Sequence, residues 1–320
     1  MSSHFQKARN KGFNINGWLV LDKIQGMTST QAVGMGKRLF QARKTGHAGT
    51  LDPLATGILP MAFGEATKTV PYVVGGAKAY RFTVRWGDER DTDDAEGQTI
   101  HQSAERPARP AIEHAALSFI GEILQTPPKY SAIKVDGERA YDLARDGEHV
   151  ELQARPVVID RLTLVDMPDT DTAVFEAECG KGTYVRAIAR DMGRMLGCFG
   201  HVIQLRRTRV GPFDESQAVT VAQLHALAEA ASTPEGPNPE GVAALRALLQ
   251  PVQAALGDIP GITINSSDAA RLKRGQTVLL LGRDAPAFTG QAYALSRGQL
   301  IAIGEIAQGE FVPTRVFNYS

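Results

Sequence analysis

Gly46-His-Ala-Gly-Thr-Leu-Asp52-Pro-Leu-Ala-Thr56, closed by Gly57, sets one carboxylate in a loop built for close approach. Gly46, Gly49 and Gly57 permit backbone conformations and contacts that a Cβ forbids, and Pro53 fixes φ immediately after the acid. Such a loop holds its acidic side chain outward. The carboxylate can then serve as nucleophile, general base, metal ligand or turn-former, and the loop alone leaves all four open. The choice depends on partners elsewhere in the chain.

Upstream of the loop, Gly17-Trp-Leu-Val-Leu-Asp22 reads as a strand that turns at Gln25-Gly26. Thr28 and Ser29 offer N-caps for a helix through Gln31 to Phe40, which Gly34 and Gly36 weaken, so packing must hold it. Downstream, alternation from Ala79 to Trp86 puts Tyr80, Phe82, Val84 and Trp86 on one side of a strand. A helix is expected over Ile112 to Ile120, extended chain over Gln125 to Ser131, and strands over Val157 to Val165 and Ala173 to Cys179. From about Tyr184 to Leu196, the residues Val185, Ile188, Ala189, Met192 and Leu196 form one apolar helical stripe, with the arginines on other faces. Ala231 to Gly241 is rich in Pro, Gly and Ser and is expected to be a mobile surface loop without regular structure, followed by a short helix from Val242 to Leu249. Beyond about Asp258, strands at Thr277–Leu281, Ala292–Ser296, Leu300–Ile306 and Phe311–Phe317, punctuated by Gly290, Gly298 and Gly309, predict a small β-barrel.

With 320 residues, 43% of them hydrophobic, the chain can bury a sizeable core in about two domains. The polar, basic start from Met1 to Lys11 leads into no apolar run, so no secretory signal or membrane span is expected. Cys179 and Cys198 form no CxxC and lie near no histidine pattern, which argues against a zinc site or disulfide framework and for a reducing cytoplasm. The net charge is zero, yet it is unevenly spread. Lys181, Arg186, Arg190, Arg194, Arg206, Arg207 and Arg209 face Asp191 alone between Lys181 and Val210, whereas Asp88 to Glu96 carries six acids against Arg90. The basic run could hold phosphates or simply be several solvated faces.

Seven motifs, in order, resemble the bacterial TruB family of tRNA pseudouridine synthases: Lys23-Ile-Gln-Gly-Met-Thr-Ser29, the Gly46–Gly57 loop, Tyr80 in its strand, Asp91-Thr-Asp-Asp94, Pro127-Pro-Lys-Tyr-Ser-Ala-Ile-Lys134, Lys181-Gly-Thr-Tyr-Val-Arg186 and Leu205-Arg-Arg207. The likeness runs from residue 17 to 320; Ile24 replaces the proline common at its position, and Trp86 a leucine. The resemblance implies an α+β fold, with a mixed-sheet catalytic domain flanked by helices over 17–250 and a small PUA-like RNA-binding barrel over 258–320. It further implies a flexible basic N-terminus over 1–16 and a thumb-like insertion at about 127–156.

It also implies roles. Asp52 becomes the nucleophile that attacks C1′ of the sugar or C6 of the base, in a reaction that turns the T-arm uridine at position 55 into pseudouridine. Arg186 is its charge partner, since an opposite charge within a few ångström favours an ionised carboxylate and a guanidinium suits bidentate pairing. Tyr80 stacks on the flipped uracil and its phenol helps to move the C5 proton. His47 helps to hold the T-loop in its flipped form, and Leu205 forms an apolar wall of the pocket. Arg206, Arg207 and Lys23 meet phosphates or support the fold, while Lys129, Lys134 and Arg139 on the thumb face RNA. No cofactor or metal is implied, the aspartates at 91, 93 and 94 being structural. The expected partner is the tRNA T-arm, with a monomer in the cytoplasm, no obligate protein partner and no membrane. Three alternatives compete: a non-catalytic tRNA-binding protein or RNA chaperone, against which Asp52, Tyr80 and Arg186 argue; a synthase of a guide-RNA complex, against which the short N-terminal region argues; and a PUA-bearing methyltransferase, which lacks its GxGxG-type loop here.

Overall fold

Every residue of the strand Gly17–Lys23 except Asp22 is buried, which requires cover on both of its faces. Leu19 and Leu21 point into one apolar core, Trp18 and Val20 into a second. The computed structural model describes residues 12–131, 133–135, 138–139, 152–233, 236–280 and 286–319, and there this strand lies near one edge of a ten-stranded mixed sheet. The main path runs Val219–Thr220, Gly17–Lys23, Thr56–Phe63, Gly200–Val210, Lys78–Trp86, Thr172–Cys179, Arg155–Asp166 and Gly121–Gln125. Two neighbour pairs are parallel, Gly17–Lys23 with Val219–Thr220 and Thr56–Phe63 with Gly200–Val210, and the others on the path are antiparallel.

Helices Ser29–Leu39, Arg109–Leu117 and Val185–Met195 cover one face and supply Ala32, Met35, Ile112, Ile188 and Met192 to the first core. The first of these begins with a capping box between Thr28 and Gln31, so that of the two N-cap choices in the sequence Thr28 is the cap. The opposite face is divided. Beneath Gly17–Lys23 and Thr56–Phe63 it is closed by the C-terminal region, whose Leu300, Ile303 and Phe317 share the second core with Trp18, Ile58 and Phe213. Over the outer strands it faces water and carries a lattice of ion pairs, Arg161 with Glu178 at 3.0 Å and Arg209 with Glu178 at 2.6 Å among them. Pairs this exposed add little stability individually, but they keep an uncovered sheet face polar.

The C-terminal strands Gly261–Thr263, Gly290–Ser296, Gln299–Ala307, Glu310–Val316 and Val278–Leu279 form a separate sheet in that order, curled into a PUA-like half-barrel. Helix Ser266–Lys273 fills its hollow with Ala269 and Leu272. Lys68 ties this region to the larger sheet by donating to the Val316 carbonyl at 2.9 Å and lying over the Phe317 ring.

One expectation fails. Residues 231–241 are not irregular throughout: Ser232–Thr233 pairs with Gly236–Pro237, and a helix begins at Pro239, earlier than expected, and runs to Ala247. Proline at the first helical position costs no hydrogen bond, and Asn238 caps the turn by accepting from the Glu240 amide at 3.2 Å. Half of the thumb-like insertion expected over 127–156, including all of 140–151, lies outside the described residues.

Because the second core spans both sheets, Phe317→Ala should lower stability by about 3–5 kcal/mol and shift one thermal transition as a whole. Calorimetry that instead showed the C-terminal region melting early, with the larger sheet unmoved, would break this account.

Candidate active site

Asp52 is presented by a loop gripped from three sides. The short strand Thr45–His47 pairs back on Thr56–Phe63, leaving residues 48–55 as the excursion between them. Buried Ser29, at the start of its helix, accepts from the Leu51 amide at 2.9 Å and donates to the Leu51 carbonyl at 3.0 Å. Lys23, fully buried, donates to the carbonyls of Met27 at 2.8 Å, Ile24 at 3.0 Å and Pro53 at 3.4 Å. Burial lowers its ammonium pKa to about 8, with Asp52 pulling the other way. Arg207 donates to the carbonyls of Gly49 at 3.0 Å, Thr50 at 3.1 Å and Ile58 at 2.8 Å. Gly49 has φ +88 and Gly57 φ +98, and a Cβ on Gly57 would lie 2.2 Å from the Arg207 carbonyl oxygen. The glycines are therefore steric requirements of the loop.

The second wall comes from helix Val185–Met195. Arg186, 5% exposed, places Nη2 2.9 Å from Oδ2 of Asp52 and Nη1 3.2 Å from Oδ2 of Asp94. It also donates to the carbonyls of Thr92 at 2.8 Å and Tyr130 at 3.0 Å. One turn on, Arg190 meets Asp93 at 2.8 Å and Asp191 at 2.8 Å, and the next turn pairs Arg194 with buried Glu89 at 2.6 Å. Arginines four residues apart share one helix face, and that face is turned against the acidic stretch 88–96. Burial pushes the Asp93 carboxyl up to about 6, with Arg190 the main opposing charge. Asp52, Asp94, Glu96, Gln98, Tyr130 and Arg186 line a cavity of about 320 Å³. Burial, together with the charges of Asp94 and Asp52, raises the Glu96 carboxyl.

The two charged segments read from the sequence thus meet at three points, Arg186 with Asp94, Arg190 with Asp93 and Arg194 with Glu89. Arg186, Arg190, Arg194, Arg206 and Arg209 each hold a carboxylate. Arg206, read as a phosphate contact or fold support, bridges Asp22 at 3.0 Å and Glu215 at 2.6 Å. Lys23 and Arg207 are sealed from solvent, so of the two roles open to them they take support of the fold. Tyr80 sits in the core with Leu51 and Leu54; burial raises its phenol while the charge of the Arg207 guanidinium opposes that rise. Leu205 lies in that same core and lines a different cavity, beside Gln25, Leu54 and Arg206, rather than the one holding Asp52 and Arg186. His47 is half-buried with Nδ1 unpaired, and burial first, then Arg207, lowers its pKa. Lys129 is exposed, and the side chains of Lys134 and Arg139 lie outside the described residues.

Three contributors went unread in the sequence. Ser29 was visible only as a helix cap, Asp94 only as part of a structural cluster, and Gln125 only as the start of an extended segment. Buried Gln125 exchanges hydrogen bonds with the Tyr184 backbone at 2.8 and 3.2 Å, fixing where the arginine helix begins. A lone glutamine after a strand carries no local signal for a contact 59 residues away.

Comparison with known proteins agrees with this architecture. Residues 37–185 match the TruB family pseudouridylate synthase N-terminal domain, and residues 186–257 the tRNA pseudouridylate synthase B C-terminal domain. A tRNA pseudouridine synthase B of Bradyrhizobium diazoefficiens is 60% identical over 305 residues, 95% of this chain and 86% of that protein. One from Agrobacterium fabrum is 56% identical over 312 residues, 98% of both chains. Among solved structures, a chain of a Cbf5-Nop10-Gar1 complex superposes with TM-score 0.71 at 24% identity, over 94% of this chain and 84% of that one, a likeness of fold. Motif order, site geometry and these matches lead to one assignment: the chain belongs to the TruB family of pseudouridylate synthases.

Proposed function

We propose that this protein isomerises the T-arm uridine at position 55 of tRNA to pseudouridine. The observation that carries the reading is the Asp52–Arg186 pair, 2.9 Å apart in the wall of a cavity. The reaction breaks N1–C1′, turns the uracil and joins C5 to C1′, while C5 gives up a proton and N1 gains one, so no electrons enter or leave. A carboxylate held by a guanidinium is the nucleophile that starts it, at C1′ or at C6. The target uridine must leave its stack to reach Asp52. Tyr80 stacks on the extruded base, and its hydroxyl helps to move the C5 proton. His47 steadies the T-loop beside it.

Relatives named tRNA pseudouridine synthase B support tRNA as the substrate. Residues 17–250 are taken as the catalytic unit and 258–320 as an RNA grip on the acceptor side, with Lys129, Lys134 and Arg139 of the thumb meeting the T-arm. The protein is taken to act as a monomer, without an obligate protein partner. No helix among the described residues is long and apolar enough to cross a membrane, in keeping with work in the cytoplasm. The intact ion pair stands against a purely non-catalytic RNA-binding role.

Pseudouridine formation in an unmodified tRNA transcript tests the proposal. Asp52→Asn should retain tRNA affinity and lose product formation by about 10⁴-fold or more; substantial residual turnover would remove Asp52 as the nucleophile. Arg186→Lys keeps the charge but cannot reach Asp52, Asp94 and two carbonyls together, so its rate should fall by about 100-fold. A near-normal rate would show that the guanidinium geometry is dispensable.

A further inference from the structure

Arg207 is 1% exposed and has no ion pair among the described residues. A guanidinium so enclosed is costly unless its donors are used, and here they are used on backbone carbonyls. The three acceptors belong to both arms of the Asp52 loop, Gly49 and Thr50 on the way in and Ile58 on the way out. Tyr80 is the strand neighbour of Arg207, and its phenol feels the guanidinium charge. The Arg207 backbone occupies a junction, paired with Gly57 on one side and Tyr80 on the other. The register shift between Arg207 and Arg209 marks a bulge, the kind of irregularity that re-aims a side chain.

We infer that Arg207 is a positioning residue: it clamps both arms of the Asp52 loop and the Tyr80 strand into one frame, fixing the nucleophile relative to the stacking ring. This rests on the reading of Asp52 and Tyr80 as the groups that meet the uridine. A phosphate cannot reach a guanidinium enclosed in this way, so RNA affinity does not depend on it. Lysine cannot replace it, because one ammonium lacks the planar fork that spans carbonyls on two chain segments.

The test measures Arg207→Lys and Arg207→Gln for folding by circular dichroism, for tRNA affinity, and for single-turnover pseudouridine formation at saturating tRNA. Folded variants should bind tRNA within about twofold of wild type and react about 100-fold more slowly, the lysine variant recovering stability but not rate. A wild-type rate in folded Arg207→Lys, or a defect cured by more tRNA, overturns the inference. If neither variant folds, ¹⁵N–¹H spectra of the wild-type guanidinium decide. Separately resolved Arg207 Nη protons, unmoved by tRNA, support the clamp; signals averaged by rotation, or displaced by tRNA, overturn it. A wild-type protein that forms no pseudouridine sinks the functional reading instead, and the spectra still decide the clamp.

Discussion

A buried arginine must be answered by a carboxylate or a set of carbonyls, and two such arginines organise this molecule. Arg186 is answered by Asp52 and Asp94, Arg207 by the loop that carries Asp52. Leaving either guanidinium unanswered would cost on the order of several kcal/mol, a large part of a typical domain's stability. Each therefore dictates where its partners go. Helix Val185–Met195 must face the acidic stretch, and the loop must return over Gly200–Val210. The contacts that satisfy the two guanidinium groups are thus the same ones that place Asp52.

What the sequence made legible follows from periodicity. Alternation marked Ala79–Trp86 within the strand Lys78–Trp86, and the N-cap choice at Thr28 or Ser29 marked the helix Ser29–Leu39. The strands Thr56–Phe63 and Gly200–Val210, which flank each other next to the site, were not read as strands at all. The first has both faces buried and contains Pro60, so neither alternation nor composition announces it. The second carries Arg206, Arg207 and Arg209, and its irregular pairing breaks the period of two. Both gain their strand form from neighbours distant in sequence, and a local pattern does not record that.

The motifs supplied the candidate site residues. Asp52, Tyr80 and Arg186 were singled out, and the structure brings Asp52 and Arg186 into contact, with Tyr80 beside the same loop. Electrostatics was the harder part. Counting charges along the chain gave a basic segment and an acidic one, and charge alone does not say whether such segments meet solvent, RNA or each other. Here they meet each other, at Arg190–Asp93 and Arg194–Glu89, because helical spacing of four aligns the arginines on one face.

The core common to both sheets has a mechanical meaning. Trp18 and Phe213 pack against the same cluster as Leu300, Ile303 and Phe317, so the C-terminal half-barrel is seated without a hinge. An RNA that touches both parts meets jaws at a set gap. Were an RNA to lie across both parts, the molecule would act as a caliper, selecting it by the distance between two of its features as much as by the bases it displays.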